Sequence, residues 1–503
     1  MLVALTAGRA WGLEPAVKER PSFQAYPFQL GVASGDPSAD GFVLWTRLAP
    51  EPLAGGGMPR ESVWVYWQVA EDEAMTKIVA SGKEIASPDW AHSVHVEVQG
   101  LKPDRWYWYQ FKAGAEVSPP GRTRTLERPD RPANETSPLK MTFASCQHFE
   151  AGFYTAYQHM LAESPDLVMH LGDYIYEGRS REGQVRKHNS SEIMTLDDYR
   201  NRHAQYKSDV SLQAMHAAAP WVVTWDDHEV DNNYAGEIPE EKGPMSREGF
   251  LARRAAAYQA YYEHMPLRAA CVPKGPGMQL YRSVRHGGLV NFHVLDTRQF
   301  RTDQPNQDRP GPASLDPEAT MLGKVQRDWL LGELQNTSAT WNVLAQQVMM
   351  ARVDRARGPE ERCSMDQWPG YEFERQALLR AFHELHVPNP VVLTGDIHTH
   401  WANELPMVPT QADTPVVATE FVCTSITSKG DGTAHPAGLE GMLSDNPFVK
   451  YHSDQRGYVS CLIENKSWRS DFRTVEHVSR PGSPLLTPAS FVVENGRSAL
   501  QKA

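Results

Sequence analysis

Five stretches of this 503-residue sequence place metal-binding side chains directly after apolar, strand-like runs. Residues 141–144 lead into Ser145-Cys146, and residues 166–171 into Gly172-Asp173-Tyr174-Ile175-Tyr176. Residues 221–225 are followed by Asp226-Asp227-His228-Glu229-Val230-Asp231-Asn232-Asn233. Residues 289–295 lead to Asp296-Thr297-Arg298, and residues 391–394 to Gly395-Asp396-Ile397-His398. In open α/β sheets ligands bind at the carboxyl ends of strands. So many carboxylates in a poorly solvated pocket repel one another unless multivalent cations are present. The physical inference is a polynuclear metal site, the geometry that clamps an in-line displacement at phosphorus.

Ligand type narrows the metals. A Cys146 thiolate and a Tyr176 phenolate suit a Lewis-acidic transition ion such as iron. Asp227, Asn232 and the outer oxygen of Asp173 are hard ligands, suited to Ca²⁺, Mg²⁺ or Mn²⁺. One Asp, with two oxygens, can bridge two ions. Of the neighbours Asp226 and Asp227, one is expected to face the site and the other to point away. His228 is the candidate to stabilise phosphate or protonate the leaving oxygen, because histidine titrates near neutrality. Arg298 is either a bidentate phosphate contact or a salt bridge to Asp296. No Gly-x-Ser-x-Gly motif or phosphate-cradling loop is present.

The elements that must position these residues fall into two rhythms. Residues 28–127 hold short strand-like runs at 42–45, 63–69, 94–98 and 106–111, separated by Pro and Gly. This spacing predicts an immunoglobulin- or fibronectin-like β-sandwich. Residues 128–138 read as a linker. From 139 to 495, continuous apolar strands alternate with helices, the pattern of an α/β domain with covered sheets. Its clearest helix is 249–264, with Leu251, Ala255, Tyr258, Tyr262 and Met265 on one face. The last residues, 496–503, read as a tail. Two loops, 177–196 and 355–371, either cover the site or are surface insertions.

Composition sets outer limits. The formal charge of −12 argues against a nucleic-acid platform. No run reaches the roughly twenty apolar residues of a membrane span. Within residues 1–27, the stretch Met1 to Gly12 is either a frayed end or a signal-peptide remnant. The five cysteines show no CxxC spacing, and Cys423 with Cys461 is the pair to check for a disulfide.

The set resembles the alkaline phosphatase D (PhoD) family of calcineurin-like metallophosphoesterases. The resemblance is carried by residues 28–37, Ser145-Cys146-Gln147, residues 171–176, 225–233, 295–299 and 393–398, in that order. It implies an immunoglobulin-like domain before a phosphatase domain of two packed mixed sheets flanked by helices. It also implies a secreted or periplasmic, monomeric enzyme that cleaves small phosphodiesters and phosphomonoesters with Fe³⁺ and Ca²⁺, with Mn²⁺, Mg²⁺ or Zn²⁺ as substitutes. By resemblance, Cys146 and Tyr176 match iron ligands, Asp173 the bridging carboxylate, and Asp227 and Asn232 ligands of the harder ions. Asp396 and His398 stand at the superfamily's final metal motif, and Asp173, His228 and Arg298 form the expected catalytic set. The resemblance also implies twin-arginine-type export, although no Arg pair precedes the apolar stretch in this sequence. The rival readings are a phospholipase D-like enzyme on lipid headgroups and a surface binding protein stabilised by its metals.

Overall fold

The computed structural model describes residues 17–240, 245–305, 308–356, 360–409 and 414–503, so the 1–12 stretch lies outside the described residues. The continuous apolar runs form strands buried on both faces. Leu139–Ala144, Leu167–Leu171 and Pro220–Thr224 pair in parallel near the middle of a ten-stranded mixed sheet. Val290–Val294, Trp341–Ala345, Pro390–Thr394 and Val416–Val422 run parallel in a seven-stranded sheet. Phe143, Met169 and Val222 of the first sheet share one core with Phe292, Val343 and Leu393 of the second. Helices close the outer faces through further cores, one around Met160, Met215 and Tyr258, another around Leu330 and Leu378. With both sides covered, the strands need no polar alternation.

Residues 28–127 form two facing layers. Val63–Ala70, Ile78–Ala86 and Trp106–Ala113 belong to a five-stranded sheet. Opposite lie Val32–Gly35, Phe42–Arg47 and Ser93–Val98, and the layers share a core of Phe42, Leu44, Val65, Val96 and Phe111. The second layer is continuous with the large sheet, because Val32–Gly35 pairs in parallel with Pro220–Thr224. The strand that delivers Asp226 and Asp227 is therefore clamped by the N-terminal half. Helix Arg247–His264 adds to this junction: Trp45 Nε1 donates to Glu263 O at 2.9 Å, and Arg47 meets His264 Nε2 at 2.8 Å.

Three expectations change. Of the face expected for helix Arg247–His264, Tyr258, Tyr262 and Met265 are buried, but Leu251 and Ala255 are only half-buried, and the inner face is rotated toward Phe250, Ala257 and Tyr261. The rotation follows from Arg253, which is drawn inward to Asp231 (2.9 Å) and the Tyr199 hydroxyl (2.9 Å). Residues 496–503 are not a loose tail, since Leu500–Lys502 pairs with Leu485–Glu494 as the sheet's edge strand. Cys423 and Cys461 are free, buried thiols. Each is engaged locally, Cys423 Sγ with Thr424 O (3.0 Å) and Cys461 Sγ with Ser470 Oγ (3.4 Å), so no disulfide joins the sheets there.

His170, in the strand Leu167–Leu171, is fully buried, and both its ring nitrogens lack a partner among the described residues. Burial pushes its pKa down to about 3. A histidine held neutral in the fold contributes stability that is complete above about pH 6.5 and lost as pH falls toward the folded value. His170→Phe, which keeps a planar ring, should therefore shift the acid-unfolding midpoint to lower pH. The gain over the parent should grow by up to about 1.4 kcal/mol per pH unit below about pH 6.5. Far-ultraviolet circular dichroism against pH measures it, and an unchanged midpoint would remove His170 from the acid-sensitive groups.

Candidate metal centre

The strands Leu139–Ala144, Leu167–Leu171, Pro220–Thr224 and Pro390–Thr394 lead into one cluster, and after three of them the chain turns sharply. Cys146, Asp173, Asp396 and His398 all sit in left-handed backbone, at φ of 58°, 55°, 60° and 63°. Such conformations cost about 1–3 kcal/mol each and cluster at functional sites. The turns fold the side chains back into one cluster. Within it, Cys146, Asp173 and His398 each bring a potential ligand atom within 4.8 Å of the others. So do Asp173, Asp227 and His228, and so do Asp226, Asp227 and Asp396. Asp173 belongs to two groups and Asp227 to two, so the three groups form a chain. Tyr176 joins the first: its Oη lies 2.7 Å from Asp173 Oδ2 and 3.0 Å from His398 Nε2.

The turn after the second strand depends on Gly172, at φ +103°. A Cβ there would lie 2.4 Å from Asp226 Cβ and 2.6 Å from Asp226 N. Gly172→Ala combines that clash with the strained φ, for a loss of about 3 kcal/mol. The expected result is a lowered melting temperature together with displacement of Asp226, read as weakened metal binding; unchanged values for both would show that the loop can relax.

Electrostatics agree with a cation requirement. Burial pushes the Cys146 thiol, the Tyr176 phenol and the Asp173 carboxyl well above their usual ranges, and neighbouring negative groups add to it. Burial also raises Asp396, to about 6, with Asp366 contributing. Asp227 goes the other way: burial resists its charge, but Arg298, His228 and the Asn233 N–H outweigh that and hold it low. Asp173 Oδ1, Asp226 Oδ2 and Asp227 Oδ1 are buried with no hydrogen-bond partner among the described residues. Orphaned carboxylate oxygens of this kind are costly unless a cation takes them. The donor set, a thiol, a phenol, imidazoles and carboxylates, fits a polynuclear centre with a softer and a harder end.

Several sequence expectations meet a different geometry. Asp226 and Asp227 both enter the cluster, because Arg298 sits against the pair and offsets their charge. Arg298 itself is fully buried and faces no open position. Its guanidinium pairs with Asp226, with Asp366 at 2.8 Å and with Asp396 at 3.2 Å. The expected Asp296 ion pair gives way to this role as internal counterion; Asp296 Oδ1 instead accepts the Arg298 backbone N–H at 3.0 Å. The Asn232 side-chain amide donates to Glu240 through its nitrogen, and its backbone N–H donates to Glu177 at 3.0 Å.

Four contributors escaped the sequence reading. Glu229 lies beneath two site loops and accepts the backbone N–H groups of Asp173 (3.1 Å), Tyr174 and Asp226 (2.7 Å). Glu177 Oε2 is 2.7 Å from His228 Nδ1, and Nε2 has no hydrogen-bond partner among the described residues. Asp366 comes from the 355–371 loop, which therefore does reach the site. Ser428 follows the strand Val416–Val422 and touches Tyr176. Glu177 and Asp366 lie in the two loops named from the sequence and Glu229 stands two residues after Asp227, whereas Ser428 follows no motif.

Comparison with known proteins follows the same lines. The family profile described as PhoD-like phosphatase matches residues 141–472, and that described as PhoD-like phosphatase, N-terminal domain, matches residues 13–127. Alkaline phosphatase D of Bacillus subtilis (strain 168) is 51% identical over 494 residues, covering 97% of this chain and 84% of that protein. The solved structure titled "Structure of PhoD" superposes with a TM-score of 0.93 at 50% identity, over 96% of this chain and 93% of that one.

Proposed function

The chain belongs to the PhoD-like phosphatase family, and from that premise we propose that it is a metal-dependent hydrolase of small phosphodiesters and phosphomonoesters. The observation that carries the reading is Asp173. It is buried and shared by two ligand groups, with one oxygen on Tyr176 and the other lacking a hydrogen-bond partner among the described residues. Cys146, Tyr176 and His398 would hold an iron-type ion, Asp227 and Asp396 a calcium-type one, with Asp173 between them; Mn²⁺, Mg²⁺ or Zn²⁺ are the substitutes. When bound, such cations supply Lewis acidity that activates water and steadies the phosphoryl oxygens.

The chain's own part is orientation. Glu177 fixes the His228 ring through Nδ1, and the ring packs on Tyr176 at 4.1 Å. Burial disfavours charge on the ring, but Glu177, Asp173 and Asp227 outweigh it and favour the imidazolium, so Nε2 also carries a proton to donate to a phosphoryl or leaving-group oxygen. Arg298 holds Asp226, Asp366 and Asp396 in place, and Glu229 ties the two strand-end loops together.

The same reading takes residues 28–127 as an immunoglobulin-like domain, joined by 128–138 to a catalytic domain at 139–495. The facing layers around Phe42, Val65 and Phe111 support it. Family membership supports a secreted or periplasmic monomer. No helix among the described residues is long and apolar enough to cross a membrane. The test is hydrolysis of bis-p-nitrophenyl phosphate and p-nitrophenyl phosphate by metal-analysed protein, with Cys146→Ala as control. Activity with bound iron and calcium, lost with the thiol, supports the proposal and ranks the two ester types. Fully metallated protein inert to both would sink it.

A further inference from the structure

We propose that Ser428 is a positioning residue of the metal centre: its hydroxyl holds the Tyr176 oxygen and the Cys146 main chain in one arrangement. It also supplies the hydrogen bond that Tyr176 needs when its oxygen acts as a ligand. The inference rests on the reading of Cys146 and Tyr176 as ligands of one iron-type ion.

Ser428 is buried, and its Oγ lies 2.7 Å from both Cys146 O and Tyr176 Oη. The His148 backbone N–H donates to the same oxygen at 3.2 Å, which fixes where its lone pair points. A hydroxyl carries a single proton, so it can serve one of its two acceptors at a time. A tyrosine oxygen bound to a metal has no proton of its own to give. It then becomes purely an acceptor, and the Ser428 hydroxyl is the donor at hand.

The segment carrying Ser428 is itself locked to the rest of the site. Arg456, almost fully buried, donates from Nη1 to Ser428 O (2.8 Å), Ser425 Oγ (2.7 Å) and His398 O (2.9 Å). The Ser428 backbone N–H reaches Cys146 O at 3.3 Å. One short stretch thus fixes Cys146, Tyr176 and His398 relative to each other. Outer contacts of this kind orient ligands and tune their donor strength.

The test is the visible absorption of iron-loaded protein in four forms: parent, Tyr176→Phe, Ser428→Ala and Ser428→Thr. A tyrosine-to-iron charge-transfer band should be present in the parent and absent in Tyr176→Phe. Removing the hydrogen bond raises the donor energy of the oxygen. Ser428→Ala should therefore show the band at longer wavelength, with about tenfold weaker retention of iron against a chelator. Ser428→Thr, which keeps the hydroxyl, should return the band toward the parental position. Melting curves of the metal-free proteins check that Ser428→Ala folds. An iron-loaded Ser428→Ala protein with an unmoved band overturns the proposal and leaves the ligand reading intact. A parent with no band that Tyr176→Phe removes overturns the ligand reading itself.

Discussion

Asp173→Asn should abolish turnover and metal-induced stabilisation together, while making the metal-free protein no less stable than the parent at neutral pH. The Asp173 carboxylate is shared by the Cys146–His398 group and the Asp227–His228 group, so its loss disconnects both halves of the centre. As the proposed ligand shared between ions, Asp173 would contribute several kcal/mol of transition-state stabilisation through the cations it would hold. The expected fall in kcat/KM is about 10³-fold or more, equivalent to about 4 kcal/mol.

The stability half of that result has the opposite sign. Burial raises the Asp173 carboxyl, and the charges of Asp227 and Glu229 push the same way, against His228 and the Tyr176 hydroxyl. A carboxyl with a folded pKa above its unfolded value of about 4 favours the fold below that value. The contribution is lost as pH rises through the folded pKa. Asparagine keeps an acceptor for Tyr176 and removes the charge. In chelator, the variant's stability relative to the parent should therefore improve as pH rises from about 4 to neutrality. With metals added, the parent should gain and the variant should not. Paired thermal melts with metal analysis read both halves. A variant that keeps its metals and its rate would remove Asp173 from the centre.

Much of the scaffold could be read from the sequence because parallel, doubly covered strands announce themselves as unbroken apolar runs. Residues 341–345, for example, form the strand Trp341–Ala345 and are wholly buried. The chemistry was readable for the same reason: the residues that follow such strands all emerge at one edge. Helix Leu196–Lys207 was not readable. It buries Arg202, His203, Gln205 and Lys207 beside Tyr199 and Tyr206, so no apolar stripe marks its inner face. Strand Ile78–Ala86 was missed because most of it is exposed.

In the site, the residues that were missed act through partners distant in sequence. Asp366 is meaningful only beside Arg298 and Arg301, with which it makes contacts of 2.8 and 2.6 Å. Ser428 is meaningful only beside Cys146 and Tyr176. Strand-end motifs reveal what can bind a metal, whereas the groups that hold those ligands in place come from wherever the chain happens to pass.

Arg298 makes the same point with the largest expected cost in stability. It is fully buried and neutralises a group of carboxylates: Asp226, Asp227 (3.5 Å), Asp366 and Asp396. Removing one partner of a buried ion pair costs about 3–5 kcal/mol, because the remaining charge has nowhere to go. Arg298→Met, which keeps the side chain's length without the charge, should destabilise the metal-free protein by about that amount. Asp226, Asp227 and Asp396 are also potential metal ligands, so added cations should take over part of the neutralisation. The gap between variant and parent should then narrow when metals are present, although Asp366 lies outside that ligand group and should keep it from closing. Arg298→Lys should rescue only partly, since one ammonium cannot reach all the carboxylates that the planar guanidinium spans. Denaturant melts with and without metal measure the gap. Parental stability in Arg298→Met, together with weaker inhibition by inorganic phosphate, would instead return Arg298 to the substrate.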